Sequence, residues 1–373
     1  MVALSDCSRI GCVMCAVGLW ASPLTAQSAP RIIDDAIECR TCAITFRRVA
    51  VLGTSSGDGE ILGGIQAISV DNAGRYWILS RNPLPMLYDS TGRFLRSVGR
   101  VGDGPGEFRS PVEVIPISGD SVMIAQPGKA IIMTGDLEAK RQIILNAGFF
   151  PIRAMSWPDA VVANGFLGTR AAAGRPLHLL SLSREVVDVT KSFGPDADEM
   201  RPKDFPLLMQ RIAVADQQTF WSADWSRYRL VKWSRSGNKE LVLERRPAWF
   251  PDTKRASGFG APDRPPDPGI SAIHVDSAGL VWVFAKVPAP TWRRAWPQGA
   301  TQQSEFQISR IAVEELYRTT IEVIDPAIGR VIARTTVDGW VMEALPGRRG
   351  ARYVVAQDQT PRIEILAFSL TGR

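Results

Sequence analysis

The chain is poor in histidine and cysteine, the residues from which most transition-metal sites are built. Of its 373 residues only two are histidine, His178 and His274, and five are cysteine. Three cysteines fall within the first 15 residues, which leaves Cys39 and Cys42 as a C-x-x-C pair. A zinc site needs further ligands, usually a second such pair, and a c-type haem needs histidine where this chain has Ala43. We therefore predict no metal and no cofactor, and in an oxidising compartment a Cys39–Cys42 disulfide, with two inert thiols as the alternative.

Clustered charge is also missing. The chain has 44 basic and 38 acidic residues, a net charge of +6, and its arginine pairs at 245–246, 293–294 and 348–349 are scattered. Proteins that bind nucleic acid usually carry a basic stripe or tail, so the charge pattern predicts no nucleic-acid partner. The sequence also contains no G-x-S-x-G elbow, phosphate-binding loop or dinucleotide fingerprint, and no catalytic residue is predicted.

No apolar run reaches the length of a membrane span. The run Ile10–Trp20 has 11 residues, whereas a transmembrane helix needs about 20. Arg9 precedes it and small residues follow, which is typical of a signal peptide cleaved after Ala26. The cysteines of the run lie too early for a lipoprotein cleavage site. We expect residues 1–26 to be a signal peptide, and the mature chain to be periplasmic or secreted, not a lipoprotein.

Glycine and proline, in contrast, are frequent and evenly spread, with 32 and 26 residues. They predict many turns between short elements, as in all-β proteins. One pattern also recurs: an apolar residue, two variable residues and a second apolar residue, followed by a turn and a strand. It occurs at IQAISVD (65–71), VEVIPIS (112–118), IRAMSWP (152–158), MQRIAVA (209–215), ISAIHVD (270–276) and VMEALPG (341–347).

Each repeat is followed by further predicted strands. In the first unit these are Tyr76–Leu79, Pro85–Asp89 and Phe94–Val98. Four short strands in about 40 residues form a propeller blade. The sixth unit lacks a fourth strand, and the strand Ile44–Leu52 stands alone before the first unit. We predict an all-β fold, a six-bladed β-propeller over residues 44–373, in which this N-terminal strand completes the last blade and residues 27–43 form a preceding segment. A β-sandwich is the alternative.

The segment Gly92–Pro111 (GRFLRSVGRVGDGPGEFRSP) closely resembles the NHL-type six-bladed β-propellers of bacteria. In that family a G-x-G-P-G-E-F turn links one blade to the next, and Gly102–Phe108 matches it. The resemblance covers residues 45–373 in architecture and is strongest over 65–125. The family includes enzymes, ligand binders and scaffolds for partners, so the resemblance implies the fold and no particular activity.

Two long insertions are predicted on one face of the propeller, where loops of this length are commonly functional. Residues 247–269 join blades four and five, and residues 287–318 separate the second and third strands of blade five. The second insertion contains a group of side chains suited to stacking and to binding anions: Trp292, Arg293, Arg294 and Trp296. We predict that these four residues bind a ligand. The alternative is that the two indoles fasten the insertion to the propeller.

The blade-linking turn supplies a second candidate group. Arg100, Asp103 and Glu107 are predicted to form a polar clamp at the channel mouth, or alternatively to bond locally within the turn. Taken together, the residues favour an exported, non-enzymatic, monomeric propeller. We expect it to bind a protein, a glycan or a small anionic ligand through its loop-bearing face. A metal-assisted hydrolase or lyase, similar to lactonases, with its site in the central channel is the alternative.

Overall fold

The computed structural model describes most of the chain after the predicted signal peptide, which lies outside the described residues. The described residues are 29–117, 119–145, 148–157, 159–168, 174–182, 186–194, 208–253, 261, 263–296 and 313–373. More than half of them lie in β-strands, and most of the others form turns and loops. Helical structure among them includes the 3-10 turns Gly57–Gly59 and Trp292–Ala295 and the short helix α1 (Val313–Leu316).

The strands follow one another in antiparallel sets. Two strands precede the first set: β1 (Arg31–Ile32) and β2 (Ala43–Leu52). The first set is β3 (Ala67–Val70), β4 (Tyr76–Leu79), β5 (Met86–Tyr88) and β6 (Phe94–Ser97). A parallel pair follows, β7 (Arg100–Val101) and β8 (Glu107–Phe108). The second set is β9 (Glu113–Pro116), β10 (Val122–Gln126), β11 (Lys129–Met133) and β12 (Ala139–Leu145). The third set is β13 (Phe149–Trp157), β14 (Ala160–Leu167), β15 (Leu177–Leu182) and β16 (Val186–Phe193).

The second half of the chain continues in the same way. The fourth set is β17 (Gln210–Val214), β18 (Thr219–Asp224), β19 (Arg229–Ser234) and β20 (Lys239–Glu244). The fifth set is β21 (Gly269–Val275), β22 (Val281–Pro288), β23 (Tyr317–Asp325) and β24 (Arg330–Asp338). The last set is β25 (Trp340–Leu345), β26 (Arg349–Val355) and β27 (Pro361–Thr371).

The N-terminal strand β2 lies in the last set, whose strand order is β2-β27-β26-β25. It pairs antiparallel with β27 from Ala43 opposite Thr371 to Leu52 opposite Ile363. The second and third sets also join at their outer strands, where β12 and β16 run parallel and form one eight-stranded sheet. The outer strand of the last set is therefore supplied by a segment more than 300 residues away in the sequence.

The first strands of the sets are arranged around an axis. β3 contacts β9, β9 contacts β13, β13 contacts β17, β17 contacts β21, β21 contacts β25, and β25 contacts β3. Between each two neighbouring sets lies a separate apolar cluster, for example Trp77 and Ile124 between the first and second sets. The cluster between the last set and the first contains Leu52, Tyr88 and Ile363. The core is thus divided into clusters between sheets rather than gathered at one centre.

Two repeats build the same turn from the same residues. The carboxylate of Asp71 accepts hydrogen bonds from the indole Nε1 of Trp77 at 2.9 Å and from backbone amides within the turn. Asp276 does the same for Trp282 at 3.0 Å. Gly74 and the corresponding Gly279 have φ angles of 78° and 77°, a region that L-residues with a Cβ avoid. The matching Asp-x-Ala-Gly sequences therefore fix the turn and anchor a buried tryptophan in the next strand.

The segment before β2 crosses the outer edges of two sets. β1 pairs parallel with β20, and Ile37 bridges to Val331 of β24. Asp35 accepts a hydrogen bond from the buried Arg245 at 2.6 Å and also pairs with Arg334. Cys39 and Cys42 then form a disulfide directly before β2. This segment connects the fourth, fifth and last sets around the outside of the molecule.

A chain that begins at Gly53 should be much less stable than one that begins at residue 29. Removing β2 exposes the edge of β27 and takes away Ile44 and Leu52, both buried in the intact chain, so the apolar side chains that pack against them become exposed. Burial of such side chains is worth about 1.5–3 kcal/mol each, so we expect a loss of about 3 kcal/mol or more in denaturant unfolding. An unchanged unfolding midpoint would show that β2 contributes nothing to the stability of the fold.

Substitution Asp276→Ala should destabilise the fifth set. It leaves the fully buried indole of Trp282 without its acceptor and removes the acceptor for two turn amides. Leaving buried donors unpaired costs about 1–3 kcal/mol each, so we expect a loss of about 2 kcal/mol in urea unfolding. Ser277→Ala, at an exposed position of the same turn, is the control and should leave the midpoint unchanged.

Candidate functional site

A cavity of about 550 Å³ lies on the axis and is lined by the first strand of every set. Its lining continues into the turns that follow these strands, where it includes Asn72, Ile117 and Gly347. At its other end, among the described residues, the cavity is lined by Glu113 near the start of β9 and Arg211 near the start of β17. The cavity therefore extends from this level to the face that carries the turns between first and second strands.

Four charged side chains lie together at the inner end of the cavity, which we call the charged floor. They are Glu113, Arg153, Arg211 and Glu343, each the first residue that its strand contributes to the lining. The Nε of Arg153 donates to the carboxylate of Glu343 at 3.0 Å, and its Nη1 lies 3.8 Å from Glu113. Most of the lining beyond the floor is apolar, so the cavity has a charged inner end and hydrophobic walls.

Arg211 is the cation of the floor that has no carboxylate partner within 4.0 Å among the described residues. Its residue surface is only 7% exposed, and its Nε is buried with no hydrogen-bond partner. The guanidinium lies over the ring of Trp225, 5.1 Å from the centroid. Burial lowers the pKa of Arg211 to about 10, with the positive charge of Arg153 adding to the effect. Arg211 therefore remains charged at neutral pH, in a place where an unpaired charge is costly.

Glu113 balances this charge only in part. It is 4% exposed, and its Oε2 has no hydrogen-bond partner. Burial raises the pKa of Glu113 to about 8, opposed by the charge of Arg153 and reinforced by that of Glu343. At pH 7 the carboxyl is therefore mostly protonated. With Arg153 bonded to Glu343, the floor has a surplus of positive charge at Arg211.

The sequence contains a signal for the charged floor within the recurring pattern itself. All four residues occupy the two variable positions of the recurring pattern: Glu113 and Arg153 the first, Arg211 and Glu343 the second. The first strand of a propeller blade lines the axis, so charges at these positions face one another from different repeats. These positions are variable in the recurring pattern, and ligand residues were predicted only in the loops.

The two histidines lie in different environments. His178 is fully buried on β15, where its ring nitrogens bond to Ser192 and to the carbonyl of Gly165. Burial lowers its pKa to about 4. His274 on β21 lines the axial cavity, and burial lowers its pKa as well. Within the described residues, no group of three or more histidine, cysteine or acidic side chains is arranged to hold a metal ion.

The predicted anchors in the second insertion are divided by their burial. Trp292 and Trp296 are 7% and 8% exposed and pack in the apolar cluster between the last and first sets. Arg293 and Arg294 are exposed, and Arg293 lies over the ring of Trp292 at 4.3 Å. Burial of both indoles supports the alternative that they fasten the insertion to the sheets. A ligand role for the four residues stays a prediction.

The predicted clamp residues bond within their own turn. Asp103 pairs with Arg109 at 2.6 Å, and Arg100 lies 3.8 Å from the carboxylate of Glu107. Glu107 also accepts a hydrogen bond from the amide of Gly104 at 2.8 Å. These contacts support the local alternative, and none of the three clamp residues lines the axial cavity. Their role in ligand binding stays a prediction.

The described parts of the two insertions and the cavity mouth lie at opposite ends of the strands. Residues 263–268 lead directly into β21, and residues 289–296 and 313–316 flank β22 and β23, so these segments lie at the end where first strands begin. The cavity instead reaches the turns at which first strands end. Ligand binding was predicted at the loop-bearing face, whereas the lining of the axial cavity reaches the turns of the other face.

Comparison with solved structures identifies the fold. A member of the DUF4221 family from Bacteroides vulgatus has a TM-score of 0.61 at 8% identity, covering 89% of this chain and 99% of the other. A Bacteroides fragilis protein named as an exported protein has a TM-score of 0.52 at 9% identity, covering 92% and 100%. These neighbours are β-propeller proteins. At such low identity the likeness shows a propeller-like fold alone.

Other comparisons add no activity. A virginiamycin B lyase from Staphylococcus aureus, in an inactive variant with quinupristin, has a TM-score of 0.45 at 12% identity, covering 87% of this chain and 99% of the other. This TM-score is too low to carry an argument. No protein-family model and no curated protein matches the sequence. In the part of the chain that the structure describes, no helix has the length and hydrophobicity to cross a bilayer.

The raised pKa of Glu113 predicts a distinctive pH dependence of stability. In the unfolded chain this carboxyl has its ordinary pKa near 4.3, and in the folded chain about 8. Its contribution to stability is therefore complete below about pH 4 and is lost as the pH rises through 8, at up to about 1.4 kcal/mol per pH unit. Glu113→Gln, which stays neutral, should be less affected by alkali than the parent between pH 5 and 8.

The measurement is the free energy of urea unfolding at intervals across that range. Glu138→Gln, at an exposed acidic position, is the matched control and should follow the parent curve. Parallel curves for the parent and Glu113→Gln would mean that Glu113 is ionised in the folded protein at neutral pH.

Proposed function

We propose that the protein is an exported, non-enzymatic, six-bladed β-propeller of NHL type that binds a small ligand in its axial cavity. The ligand carries an anionic head group, which Arg211 receives, and an apolar body, which lies along the cavity walls. The observation on which the proposal depends is the buried guanidinium of Arg211, whose Nε has no partner.

The six-bladed closed ring is supported by three features. The first strands contact one another in cyclic order, with β25 against β3. Apolar clusters separate neighbouring sets all the way round, including the last and the first. β2 gives the last set its fourth strand through pairing with β27. Ring closure by an N-terminal strand is how propellers remove an exposed sheet edge.

Export is supported by the sequence and by cysteine chemistry. The apolar run Ile10–Trp20, followed by small residues up to Ala26, is typical of a signal peptide. Disulfides persist mainly in oxidising compartments, and Cys39 and Cys42 are bonded ahead of β2. The periplasm or the extracellular medium meets this requirement.

The chemistry of the floor favours an anion over a cation or a neutral group. Arg153 already bonds to Glu343, and burial keeps Glu113 mostly protonated at pH 7. Arg211 thus needs a negative partner, and a carboxylate would accept charge-assisted hydrogen bonds from it in a site of low polarity. Beyond the floor, Ile68, Met155 and Ile212 line the cavity and favour a hydrocarbon or ring system.

The proposal predicts selective binding of carboxylates with an apolar tail. Straight-chain carboxylates from hexanoate to dodecanoate are titrated by calorimetry against the matching alcohols and amines. We expect the carboxylates to bind, the alcohols to bind at least tenfold more weakly, and the amines not to bind. Equal affinity for carboxylate and alcohol would mean that Arg211 does not receive the head group.

Arg211→Leu separates a ligand role from a structural one. A buried charge without a charged partner destabilises the folded state, so this variant should unfold at the parent midpoint or above. It should bind the carboxylates about thirtyfold more weakly, the equivalent of roughly 2 kcal/mol. A large loss of stability would indicate that Arg211 supports the fold.

The double variant Arg293→Ala, Arg294→Ala is the control for the opposite face. Both side chains are exposed on the second insertion, and we expect carboxylate affinity to be unchanged. Loss of binding in this variant would move the site to the insertions. Turnover of a lactone or ester panel by the purified protein would overturn the non-enzymatic part of the proposal.

A further inference from the structure

A second cleft of about 570 Å³ lies between the last set and the first, on the outer side of the axial cavity mouth. Its walls come from β2, β27, the turn between β25 and β26, and Tyr76 and Ser90 of the first set. Gly347 lines both this cleft and the axial cavity. The two openings therefore share the turn formed by residues 346–348.

The cleft is basic and has no acidic residue in its lining. Three arginines contribute to it, Arg47 from β2 and Arg348 and Arg349 from the turn and the start of β26. The ion pairs of the described residues include none of the three. In contrast, the neighbouring Arg48 on β2 pairs with Glu364 at 2.8 Å. On β2, Arg47 thus has no acidic partner and lines the cleft, whereas the charge of Arg48 is neutralised. A cleft lined by arginines without acidic partners is suited to an anion.

Hydroxyl groups complete the lining. Thr45, Ser90 and Ser369 add hydroxyls that can donate hydrogen bonds to an oxyanion. The nearest acidic residue in the chain to Ser90 is Asp89, whose carboxylate is held by Thr91 and Arg93. The Nη1 of Arg349 donates to the hydroxyl of the buried Tyr76 at 3.3 Å, which fixes the direction of that guanidinium.

The backbone at Arg348 is strained. Its φ angle is 55°, in the left-handed region that residues other than glycine, asparagine and aspartate rarely adopt. Glycine would fit this position without strain, as it does at Gly347, where φ is 77°. Leu137 and Gln359 adopt the same conformation in turns outside the cleft, with φ of 69° and 63°, so this backbone cost belongs to the turn and glycine could relieve it at position 348.

Arg348 also links the cleft to the axial cavity electrically. Burial is the main cause of the lowered pKa of His274, and the charge of Arg348 lowers it further. His274 lines the axial cavity. The positive charge of Arg348 therefore contributes to the electrostatic potential in that cavity as well as in the cleft.

We propose that this cleft binds a tetrahedral oxyanion, a phosphate or sulfate group, held by Arg47, Arg348 and Arg349. Guanidinium groups bind such anions through pairs of parallel N–H bonds, and three of them around one cleft match an anion with several charged oxygens. The hydroxyls of Thr45, Ser90 and Ser369 supply further donors. The inference does not rest on the proposed function of the axial cavity, because a different set of residues carries it.

The test is calorimetric titration of the mature protein with pyrophosphate, inorganic phosphate and sulfate, with acetate as the planar anion. We expect pyrophosphate to bind most tightly, phosphate and sulfate to bind more weakly, acetate to bind least, and added salt to weaken all of them. Sulfate binding as tight as pyrophosphate binding would assign the cleft to sulfate esters rather than to phosphates. Equal binding of acetate and phosphate would overturn the proposal.

Arg348→Gly is the informative variant, because it removes the charge and relieves the backbone strain together. It should keep or raise the unfolding midpoint and weaken pyrophosphate binding about tenfold. The double variant Arg47→Ala, Arg348→Gly should weaken binding about a hundredfold. Arg96→Ala, at an exposed arginine on β6 outside the cleft, is the matched control and should bind as the parent does.

The two sites are then distinguished by exchanging ligands. Arg211→Leu should leave pyrophosphate binding unchanged, and Arg348→Gly should leave binding of a long-chain carboxylate within threefold of the parent. If Arg348→Gly binds pyrophosphate as the parent does, the cleft is not the oxyanion site. Loss of pyrophosphate binding in Arg211→Leu would place the anion in the axial cavity instead.

Discussion

The pairing of β2 with β27 is the constraint on which the arrangement of the axis depends. It joins residues 43–52 to residues 363–371 in one sheet, and the apolar cluster between the last and first sets includes Leu52 from the same strand. Without that strand, β27 would present an unpaired edge and the contact between β25 and β3 would lose its support. The charged floor is assembled from four different sets, so its geometry depends on all the sets being held at fixed angles. A loss of pairing between β2 and β27 would therefore alter the geometry of the charged floor.

Stability and binding compete at the charged floor. An arginine with a buried, unpaired Nε destabilises the folded state, because desolvation of a polar group is not repaid by a hydrogen bond. Glu113 reduces the penalty of its own burial by holding a proton near neutral pH. Arg211 cannot reduce its penalty by becoming neutral, because its pKa of about 10 keeps it charged at neutral pH. The proposed ligand of the axial cavity would supply the partner that the Nε lacks.

The first strand of every set and all strands of the first set could be predicted from the sequence, because turns and strand alternation are local properties. The Asp-x-Ala-Gly repeats at Asp71 and Asp276 fix the register of two sets, and the lone strand before Gly53 was expected to pair with the last set, as β2 does. The burial of the Trp292 and Trp296 side chains was not predictable in this way. Whether an indole in an insertion faces solvent or a sheet depends on neighbours distant in sequence, here the cluster that also contains Tyr317 and Met342.

The candidate site was the harder part for a related reason. Glu113, Arg153, Arg211 and Glu343 are each unremarkable in their own segment, one charged residue in a short strand. Their importance becomes visible only at the axis, where strands from four repeats approach one another around the cavity. The same reasoning separates Arg47 from Arg48: adjacent in sequence, they point to opposite sides of β2, as alternation along a strand requires. One neutralises Glu364 and the other lines a cleft without acids. In a propeller the position of a charge along its strand and the side toward which it points decide whether it supports the fold or is available to a ligand.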